Sequence, residues 1–426
     1  MFFKKFLLTL AIIFAGNIFA SNVHAEIKNF MESDTAVFSY GEDDEKIVAT
    51  VKNVAKMRTE QVAKEKIFSY IKNTNKNLTD EYVSAVTNNI FEIIDVAFEK
   101  FSVSENAFEN ENKFMCEATV NANIETDKIF EYSQLGLEEK ENIVRQNEIL
   151  QKSESDINKN FDDLSANAEN FSPEEIKNAL VKIDKQISAK EKLSAGNKFY
   201  FQQDFQNAIG KYNDAIYIDE NYSPAYVARG FVYKNLKNYD EAIKNFEKAI
   251  EIDFENSQAY YLLGQCYDIL KNYDAAKENF GKSIEFDRKN ANAYLERGNI
   301  YYRLQDYISA SEDFSKIIEL TPKDAKIYLK RGICLQKLGN YDAAVEDFTK
   351  ALEINSNYVY AYYSRGLALK NLENYSAAIA DFTNAIKLDL KYASAYYNRG
   401  VCYQLLGNDL QAEKDFKKSR SLGHAE

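Results

Sequence analysis

Few residues in this sequence could perform acid–base or metal chemistry. The chain of 426 residues contains two histidines, His24 near the start and His424 close to the end. Histidine is the usual general base and the commonest metal ligand near neutral pH. The sequence also has no glycine-rich phosphate loop, no GxSxG and no HExxH motif. We therefore expect a protein that is not an enzyme and that holds no metal and no cofactor.

The four cysteines follow a spacing that argues against disulfide bonds. Cys266, Cys334 and Cys402 are separated by a constant interval of 68 residues, and Cys116 lies far from them. That interval is two lengths of the repeat described below. Residues two repeats apart in a stacked array cannot approach to the roughly 4.4–6.8 Å between Cα atoms that a disulfide needs. The cysteines are expected to be small buried apolar residues.

Charge and composition narrow the class of partner. The chain has 53 basic and 66 acidic residues, a net charge of −13, and it contains no long basic run. A protein of this charge is a poor ligand for nucleic acid, so a protein or peptide partner is expected instead. With 45% apolar and 28% charged residues, the composition is that of a folded chain. Its length requires more than one folding unit or an extended array.

Residues 1–25 have the features of a secretory signal peptide. Lys4 and Lys5 precede an apolar run, and Val23 and Ala25 place small residues at the cleavage positions. We expect an exported protein, periplasmic or secreted after cleavage near Ala25. The alternative is an N-terminal membrane anchor, although the apolar run is short for a spanning helix.

Residues 26–130 predict a small α+β domain. Strand patterns occupy residues 35–40, 91–103 and 114–124, and a helical pattern covers residues 42–72. Apolar residues alternate along the last strand, which predicts a sheet with one wet face and a helix on the other. This order resembles a small domain of some bacterial envelope lipoproteins and of a flagellar assembly protein. The resemblance implies an envelope location and a role in assembly.

Residues 131–188 predict a helical connector at the protein surface. Apolar residues from Ile143 to Leu164 are spaced alternately by threes and fours, with Asn147 and Glu154 as polar interruptions. This spacing is typical of an amphipathic helix that packs on another helix. Whether the connector self-associates stays open.

From residue 189 the sequence repeats every 34 residues. Counting residue 189 as position 1, every repeat has glycine at position 8, alanine at position 20 and an aromatic residue at position 24. Position 4 is tyrosine in each repeat after the first. The seven repeats within 189–426 are 189–222, 223–256, 257–290, 291–324, 325–358, 359–392 and 393–426.

This pattern resembles the tetratricopeptide repeat (TPR). The resemblance implies two antiparallel helices per repeat, called helix A and helix B below, stacked into a right-handed superhelix of helix-turn-helix units. Glycine and alanine let the two helices approach closely, and the aromatic residues fill the space beside them. One departure is position 32, often proline in the family, which is proline here only at Pro322. The expected fold is multidomain, a small α+β domain followed by an all-α TPR solenoid.

The seventh repeat has the composition of a terminal cap. Position 28 is aliphatic in repeats 1–6 but is Arg420 in the last, and Glu413, Lys417 and Lys418 make the final helix polar. Repeat arrays need polar outer faces at their ends to stay soluble. We therefore expect a monomeric array with a self-capped C-terminus.

The resemblance also assigns a ligand groove to positions 2, 5, 9 and 12 of helix A. The side chains there are aromatic, aliphatic and amide-bearing, which suits an extended peptide or a helix. Position 5 has no lysine in any repeat, and this disfavours the terminal-carboxylate binding of one family variant. The predicted groove residues are Val227, Phe231, Lys234, Tyr261, Gln265, Asp268, Leu295, Asn299, Tyr302, Leu329, Ile333, Gln336, Tyr363, Leu367, Lys370, Tyr397, Val401 and Gln404.

Arginine at position 7 accompanies aspartate at position 23. A row of arginines could bind phosphate or acidic ligands. Because the two residue types occur in the same repeats, we favour structural ion pairs between helices over such a ligand ladder. The predicted pairs are Arg297 with Asp313, Arg331 with Asp347, Arg365 with Asp381, and Arg399 with Asp415.

Together these features predict an exported, non-enzymatic scaffold for protein–protein interaction. Its concave TPR groove would bind an extended peptide or a helix. One alternative is an envelope-assembly component that docks through its α+β domain. Another is an accessory subunit of an envelope enzyme complex, whose catalytic groups come from its partner.

Overall fold

A computed structural model of the chain falls into two compact units, Met1–Asp253 and Phe254–Glu426, called here the N-terminal and the C-terminal unit. The predicted signal peptide, residues 1–25, lies outside the described residues. The structure describes residues 27–40, 45–74, 80, 83–84, 87, 91–105, 112–125, 137–167 and 170–423.

Within these ranges the N-terminal unit contains one sheet and six helices with defined bounds. The strands are β1 (Ile27–Tyr40), β2 (Phe91–Glu105) and β3 (Asn112–Glu125). The helices are α1 (Glu45–Thr74), α2 (Leu137–Ala166), α3 (Pro173–Phe201), α4 (Phe205–Ile218), α5 (Ser223–Asn235) and α6 (Tyr239–Ile252).

The C-terminal unit contains five helix pairs in its described part. Helices A of repeats 3–7 are α7 (Ser257–Ile269), α9 (Ala291–Arg303), α11 (Ala325–Lys337), α13 (Val359–Asn371) and α15 (Ala393–Leu405). Helices B are α8 (Tyr273–Phe286), α10 (Tyr307–Leu320), α12 (Tyr341–Ile354), α14 (Tyr375–Leu388) and α16 (Asp409–Ser421).

The sheet is antiparallel with the strand order β1-β3-β2. Ile27 pairs with Glu125 and Tyr40 with Asn112, so β1 pairs with β3 along its whole length. This pairing extends β1 eight residues before the predicted start at residue 35. Helix α1 lies against β1 and β3.

Helices α1, α2 and α3 share one hydrophobic core, because each turns an apolar stripe towards the others. Val54 of α1, Ile157 and Phe161 of α2, and Leu180 and Ile183 of α3 belong to the same buried cluster. The prediction that α2 packs on another helix is confirmed. The description of this segment as a surface connector is wrong, since its apolar seam is buried between two other helices.

The same close contact joins helices A and B in each repeat. A Cβ atom added at Gly332 would lie 2.6 Å from the ring of Phe348, and one added at Gly366 would lie 2.7 Å from the ring of Phe382. Atoms at that distance would overlap, so position 8 accepts only glycine without movement of the ring. The pairing of glycine at position 8 with an aromatic ring at position 24 is therefore the contact that sets the 34-residue pattern.

The turn between helices A and B also recurs. Lys271 has a φ of 61° and Gly339 a φ of 78° at the same position of their repeats, which lets the chain reverse within a short turn. The next residue caps helix B: the side-chain oxygen of Asn272 accepts a hydrogen bond from the backbone N–H of Ala275 at 3.3 Å. Local turn chemistry thus places each helix A beside its helix B.

Cys266, Cys334 and Cys402 are buried and are not joined in disulfide bonds, as their spacing predicted. Burial raises the pKa of the Cys334 and Cys402 thiols to about 11, so both remain protonated near neutral pH. In the ranges that the structure describes, none of the helices is both long and apolar enough to cross a membrane.

Candidate functional site

The predicted arginine–aspartate pairs lie inside the array. Arg331 donates to both carboxylate oxygens of Asp347, from Nε at 2.8 Å and from Nη2 at 2.6 Å. Its Nη1 donates to the hydroxyl of Ser315 in the preceding repeat at 3.1 Å, and its guanidinium lies 5.9 Å from the ring centre of Tyr328. The hydrogen bond with Asp347 raises the pKa of Arg331 more than burial lowers it.

The other three pairs have the same geometry. Arg297 with Asp313, Arg365 with Asp381, and Arg399 with Asp415 are each joined by two hydrogen bonds within one repeat. These guanidinium groups are directed at carboxylates of their own repeat. The structure therefore favours the ion-pair interpretation over a ladder of arginines that binds ligands.

Helix A of the first repeat, the end of α3, is covered by the chain itself. Leu193 at position 5, Asn197 at position 9 and Tyr200 at position 12 are all buried. Helix α2 lies against α3, and the side chain of Asn197 donates to the backbone carbonyl of Gln146 in α2 at 3.4 Å. The positions assigned to a ligand groove are therefore occupied here by a helix of the same chain.

A buried ion network fixes α2 at this place. Glu154 of α2 lies 2.9 Å from the ammonium group of Lys190, at position 2 of repeat 1, and 3.1 Å from that of Lys64 in α1. Burial alone would raise the pKa of Glu154, but the two ammonium groups outweigh it and lower the pKa to about 2. The polar interruption in the α2 seam is thus the charge that joins three helices.

Helix α5, the helix A of repeat 2, is closed in the same way. Helix α2 also lies against α5; the hydroxyls of Ser153 and Tyr222 are hydrogen-bonded, and Lys152 lies 3.1 Å from Asp253. Val227 and Phe231, predicted to line the groove, are only 1% and 0% exposed. The prediction is wrong for these two side chains, because neighbouring helices of the N-terminal unit bury them.

One predicted groove residue of repeat 2 stays partly exposed. Lys234 lies over the ring of Phe231, with its ammonium nitrogen 5.0 Å from the ring centre. Its ammonium group therefore makes a cation–π contact with that ring.

The side chains at positions 2, 5, 6, 9, 12 and 13 of each helix A form a surface that we call the A-helix face. In the C-terminal unit this face is open. Position 9 is buried in both repeats of the N-terminal unit, yet it is partly exposed in every repeat from 3 to 7. The residues at position 9 there are Gln265, Asn299, Ile333, Leu367 and Val401.

Position 5 lies deeper than the resemblance implied. Tyr261 is 6% and Leu329 is 8% exposed, and the ring of Tyr261 packs against that of Phe280 at 5.8 Å. Tyr261, predicted to line the groove, therefore helps to fill the interior, because its ring reaches the aromatic residue at position 24 of its own repeat. Tyr363 and Tyr397 make the same contact but remain partly exposed.

At position 12, Tyr302 and Gln404 are exposed, whereas Asp268, Gln336 and Lys370 are partly exposed. Leu295, at position 5 of repeat 4, is also partly exposed. These residues remain accessible to a ligand together with position 9.

The face of repeats 3 and 4 is polar, and its charged residues are Asp268, Glu296 and Arg303. Arg303 at position 13 lies 2.6 Å from the carboxylate of Asp268 at position 12 of the preceding repeat. The amide of Gln265 donates to the hydroxyl of Tyr261 at 2.9 Å. Tyr302 adds an aromatic edge against Tyr307. Most polar groups of this part are thus satisfied within the protein.

The face of repeats 5–7 combines aliphatic and basic side chains. Lys330, at position 6, donates to the side-chain oxygen of Asn299 at 2.9 Å, and Lys370 donates to that of Asn398 at 2.7 Å. Both partners are neutral, so neither lysine loses its charge to a carboxylate there. Position 6 was missed by the sequence reasoning, and a lysine between two aliphatic groove positions was the available signal.

Within the described residues, no group of three or more histidine, cysteine, aspartate or glutamate side chains could hold a metal ion. The chemistry available on the open A-helix face is that of apolar contact, hydrogen bonding and lysine charge. These groups can hold another chain.

Comparison with protein families identifies the repeats. Models described as tetratricopeptide repeat match residues 221–289, 291–324 and 325–358, and a model described as TPR repeat matches residues 371–407. Two of these matches coincide with repeats 4 and 5 as the 34-residue period defines them. No curated protein matches the sequence.

Several solved structures are similar to part of the chain. The crystal structure of YrrB, described as a TPR protein with an unusual peptide-binding site, has 23% identity and a TM-score of 0.41, covering 43% of this chain and 95% of its own. A MamA fragment from Desulfovibrio magneticus RS-1 has 20% identity and a TM-score of 0.38, covering 39% and 94%. Part of a TPR repeat-containing protein from Cytophaga hutchinsonii has 18% identity and a TM-score of 0.47, covering 54% and 94%.

Proposed function

Because the chain contains tetratricopeptide repeats, we propose that it is a non-enzymatic scaffold for protein–protein interaction. Its ligand is an extended peptide or a helix of a partner protein, bound on the A-helix face of repeats 3–7. One observation carries this proposal. Position 9 of helix A is buried under the chain's own residues in repeats 1 and 2, and it is partly exposed in repeats 3–7.

The N-terminal unit supplies an example of what this face can hold. Helix α2 lies on helices A of repeats 1 and 2, where Lys190 binds its carboxylate and Asn197 binds a backbone carbonyl. An amphipathic helix is thus an occupant that the repeat surface accepts. Recognition by apolar anchors in a groove is a common mode for such helices.

The open face offers the kinds of contact that a partner needs. Ile333, Leu367 and Val401 are aliphatic and partly exposed at equivalent positions of three successive repeats. Buried apolar anchors contribute most of the affinity in an interface, and polar groups around them fix the orientation. Gln336 and Gln404, at position 12 of helices α11 and α15, can hydrogen-bond to a partner backbone.

Site-specific photo-cross-linking in the cells of origin tests the proposal. A photoreactive amino acid replaces Gln336, Leu367 or Gln404 in the full-length chain, and Leu390, which is 68% exposed between two repeats, provides the control position. We expect the same cross-linked partner from the three A-helix positions and none from Leu390.

A competition experiment distinguishes specific binding on the A-helix face from non-specific cross-linking. An excess of full-length protein without the photoreactive residue should abolish the cross-link. The Leu367→Ser variant should compete poorly, whereas Leu390→Ser, the matched control, should compete normally. Cross-linking that is equal from Leu390, or competition that is unaffected by Leu367→Ser, contradicts binding on the A-helix face.

We also propose that the protein is exported after cleavage near Ala25, on the grounds of the charged start and apolar run of residues 1–25. Mass spectrometry of the protein from its cells of origin should show a chain that lacks residues 1–25. An intact N-terminus in the membrane fraction would support the alternative of an N-terminal anchor.

A second candidate role uses the N-terminal residues. We propose that residues 26–130 form the small α+β domain that the sequence indicates, supported by the sheet of β1, β3 and β2 and by helix α1 against it. An envelope-assembly component would dock through this domain while the repeats hold a client. Charge reversal at two exposed residues of α1, Glu65→Lys with Lys66→Glu, leaves the core shared by α1, α2 and α3 intact. It should then reduce localisation to an assembly without reducing cross-linking from Leu367, and the opposite result would favour the scaffold role alone.

A further inference from the structure

The basic and aliphatic residues of repeats 5–7 form one surface, which we call the aliphatic–lysine sector. It consists of Ile333, Leu367 and Val401 with Lys330, Lys337 and Lys370. Helices α11, α13 and α15, which provide it, contain no aspartate and no glutamate. This is a basic surface on a chain whose net charge is −13.

The arginines of these helices do not add to the charge of the sector, but the lysines do. Arg331, Arg365 and Arg399 are each paired with an aspartate of helix B. In the described part of repeats 5–7, by contrast, none of the three sector lysines is in an ion pair. Lys330 and Lys370 contact neutral amide oxygens instead. Lys330 also lies over the ring of Phe314 at 5.8 Å, and its partner Asn299 donates to the carboxylate of Glu296 at 3.5 Å. None of the three lysines is paired directly with a carboxylate of the described residues, so their positive charge is available to a ligand, least so at Lys330.

The third lysine of the sector, Lys337, is at position 13 of helix α11. Arg303, at position 13 of the adjacent repeat, shows where a side chain at this position reaches. Arg303 reaches the carboxylate of Asp268 at position 12 of the repeat before it. Lys337 occupies the same position 13 and is exposed, next to a repeat in which position 12 is the uncharged Tyr302.

On these observations, and resting on the proposed function, we propose that the aliphatic–lysine sector binds an acidic amphipathic helix of a separate partner protein. Apolar side chains of that helix contact Ile333, Leu367 and Val401. Glutamate or aspartate side chains on its flanks meet Lys330, Lys337 and Lys370. The ligand is recognised by side-chain carboxylates along the helix, and not by its terminal carboxylate.

Helix α2 supports the chemistry of this occupant. It has eight acidic and four basic residues, it is amphipathic, and one of its glutamates meets a lysine of helix A in repeat 1. The chain's own α2 is not the proposed ligand, because Glu154 holds it on repeat 1 through Lys190 and Lys64. The source is therefore another protein with a helix of the same character.

Three synthetic peptides test the inference with the full-length chain. They have equal length, blocked ends and the same leucine stripe at helical spacing, and their flanking residues are glutamate, glutamine or lysine. Titration by fluorescence anisotropy should show that the glutamate peptide binds about tenfold or more tightly than the glutamine peptide, and the lysine peptide more weakly still. Raising the salt concentration should weaken the glutamate peptide selectively, because exposed charges are screened.

Two triple variants locate the charges. K330Q/K337Q/K370Q should remove the preference for the glutamate peptide, so that the glutamate and glutamine peptides bind this variant with equal affinity. The matched control is K282Q/K316Q/K350Q, which removes three lysines that pair with glutamates three residues later on helices B. That control should retain the full preference.

The outcomes separate this inference from the proposed function. Equal binding of all three peptides that is lost in Leu367→Ser leaves the A-helix face as a binding surface and overturns the preference for acidic helices. A preference that survives in K330Q/K337Q/K370Q overturns it as well. If none of the peptides binds, the inference fails, and the cross-linking experiment then decides on the scaffold function separately.

Discussion

Repeats 1 and 2 and repeats 3–7 share a sequence pattern but not an environment. In the first two, Asn197 and Phe231 at position 9 are buried, and α2 lies on both helices A. In the other five, the same position is partly exposed. The repeat pattern therefore determines how helices pack within the array. Whether the A-helix face is covered depends on segments outside the repeats.

The difference also separates two uses of lysine. Lys190 in repeat 1 is buried and neutralised by Glu154, whereas Lys330 in repeat 5 hydrogen-bonds to an amide and keeps its charge. The first arrangement holds three helices of one chain together. The second leaves a charge that a partner can use, so a lysine on helix A indicates a ligand only where the face is open.

The largest effect on stability is expected at position 9, which is buried in repeat 2 and partly exposed in repeat 6. Phe231→Ala removes a fully buried ring from the closed face, so the free energy of unfolding should fall by about 3–5 kcal/mol. Leu367→Ala, at position 9 of the open face, should cost about 1–2 kcal/mol because its side chain already contacts water. Urea unfolding combined with hydrogen exchange of α5 and α13 measures both. Equal losses would show that position 9 of repeat 6 is as enclosed as that of repeat 2.

The second test replaces the two kinds of lysine. Lys190→Met leaves Glu154 with one cationic partner in a buried site, and the contact of α2 with α3 should lose about 3 kcal/mol. Lys330→Met removes a partly exposed charge and should change stability by less than about 0.5 kcal/mol. Hydrogen exchange of residues 137–201 reports the first change. Unaltered protection there would mean that the ion network does not hold α2.

Acid should weaken the closed face. The folded pKa of Glu154 is about 2, below its ordinary value of 4.5, so its contribution to stability is complete above pH 4.5. That contribution decreases as the pH falls towards 2, since the unfolded state then binds the proton more readily. We expect α2 to lose about 2 kcal/mol of protection across this range. The Glu154→Gln variant, the control, should lack this part of the pH dependence.

The smallest effect concerns the arginine pairs. Asp347→Asn keeps one hydrogen-bond acceptor for Arg331 and removes the charge, so repeat 5 should lose about 1 kcal/mol. Repeat 2 already has this arrangement, because Arg229 donates to the side-chain oxygen of Asn245 at 2.8 Å. Thermal unfolding of Asp347→Asn beside Asp347→Ala measures the contribution. A loss as large as that of the alanine variant would show that charge, and not the hydrogen bond, is the stabilising element.

Much of the architecture could be read from periodicity. Seven glycines at intervals of 34 residues located the helix pairs, and the joint occurrence of arginine and aspartate located their contacts, because both depend on neighbours that recur with the repeat. The strand at residues 114–124 followed from local alternation, and the strand at residues 91–103 from its β-branched and aromatic residues. The early start of β1 did not, since Ile27 joins the sheet by pairing with Glu125, almost a hundred residues away.

The candidate site was less predictable. Assigning positions 5 and 9 to a groove treated all repeats alike, and it therefore included Val227 and Phe231, which are buried. The covering helix packs through contacts between residues far apart in sequence, such as Glu154 with Lys190 and Gln146 with Asn197. No periodic signal encodes such contacts. The polar residues that interrupt the α2 seam were the available indication that α2 had charged neighbours.

Three of the paired arginines make a third hydrogen bond, which bears on how arrays of different length could arise. Arg331, Arg365 and Arg399 donate to Ser315, Thr349 and Thr383, always a hydroxyl at position 25 of the preceding repeat. If a genetic event removed residues 325–358, Arg365 would follow Ser315 and meet a hydroxyl again. The joints that connect repeats 4 to 7 are thus interchangeable, so in this part of the array whole units can be gained or lost in steps of one repeat while the remaining joints re-form.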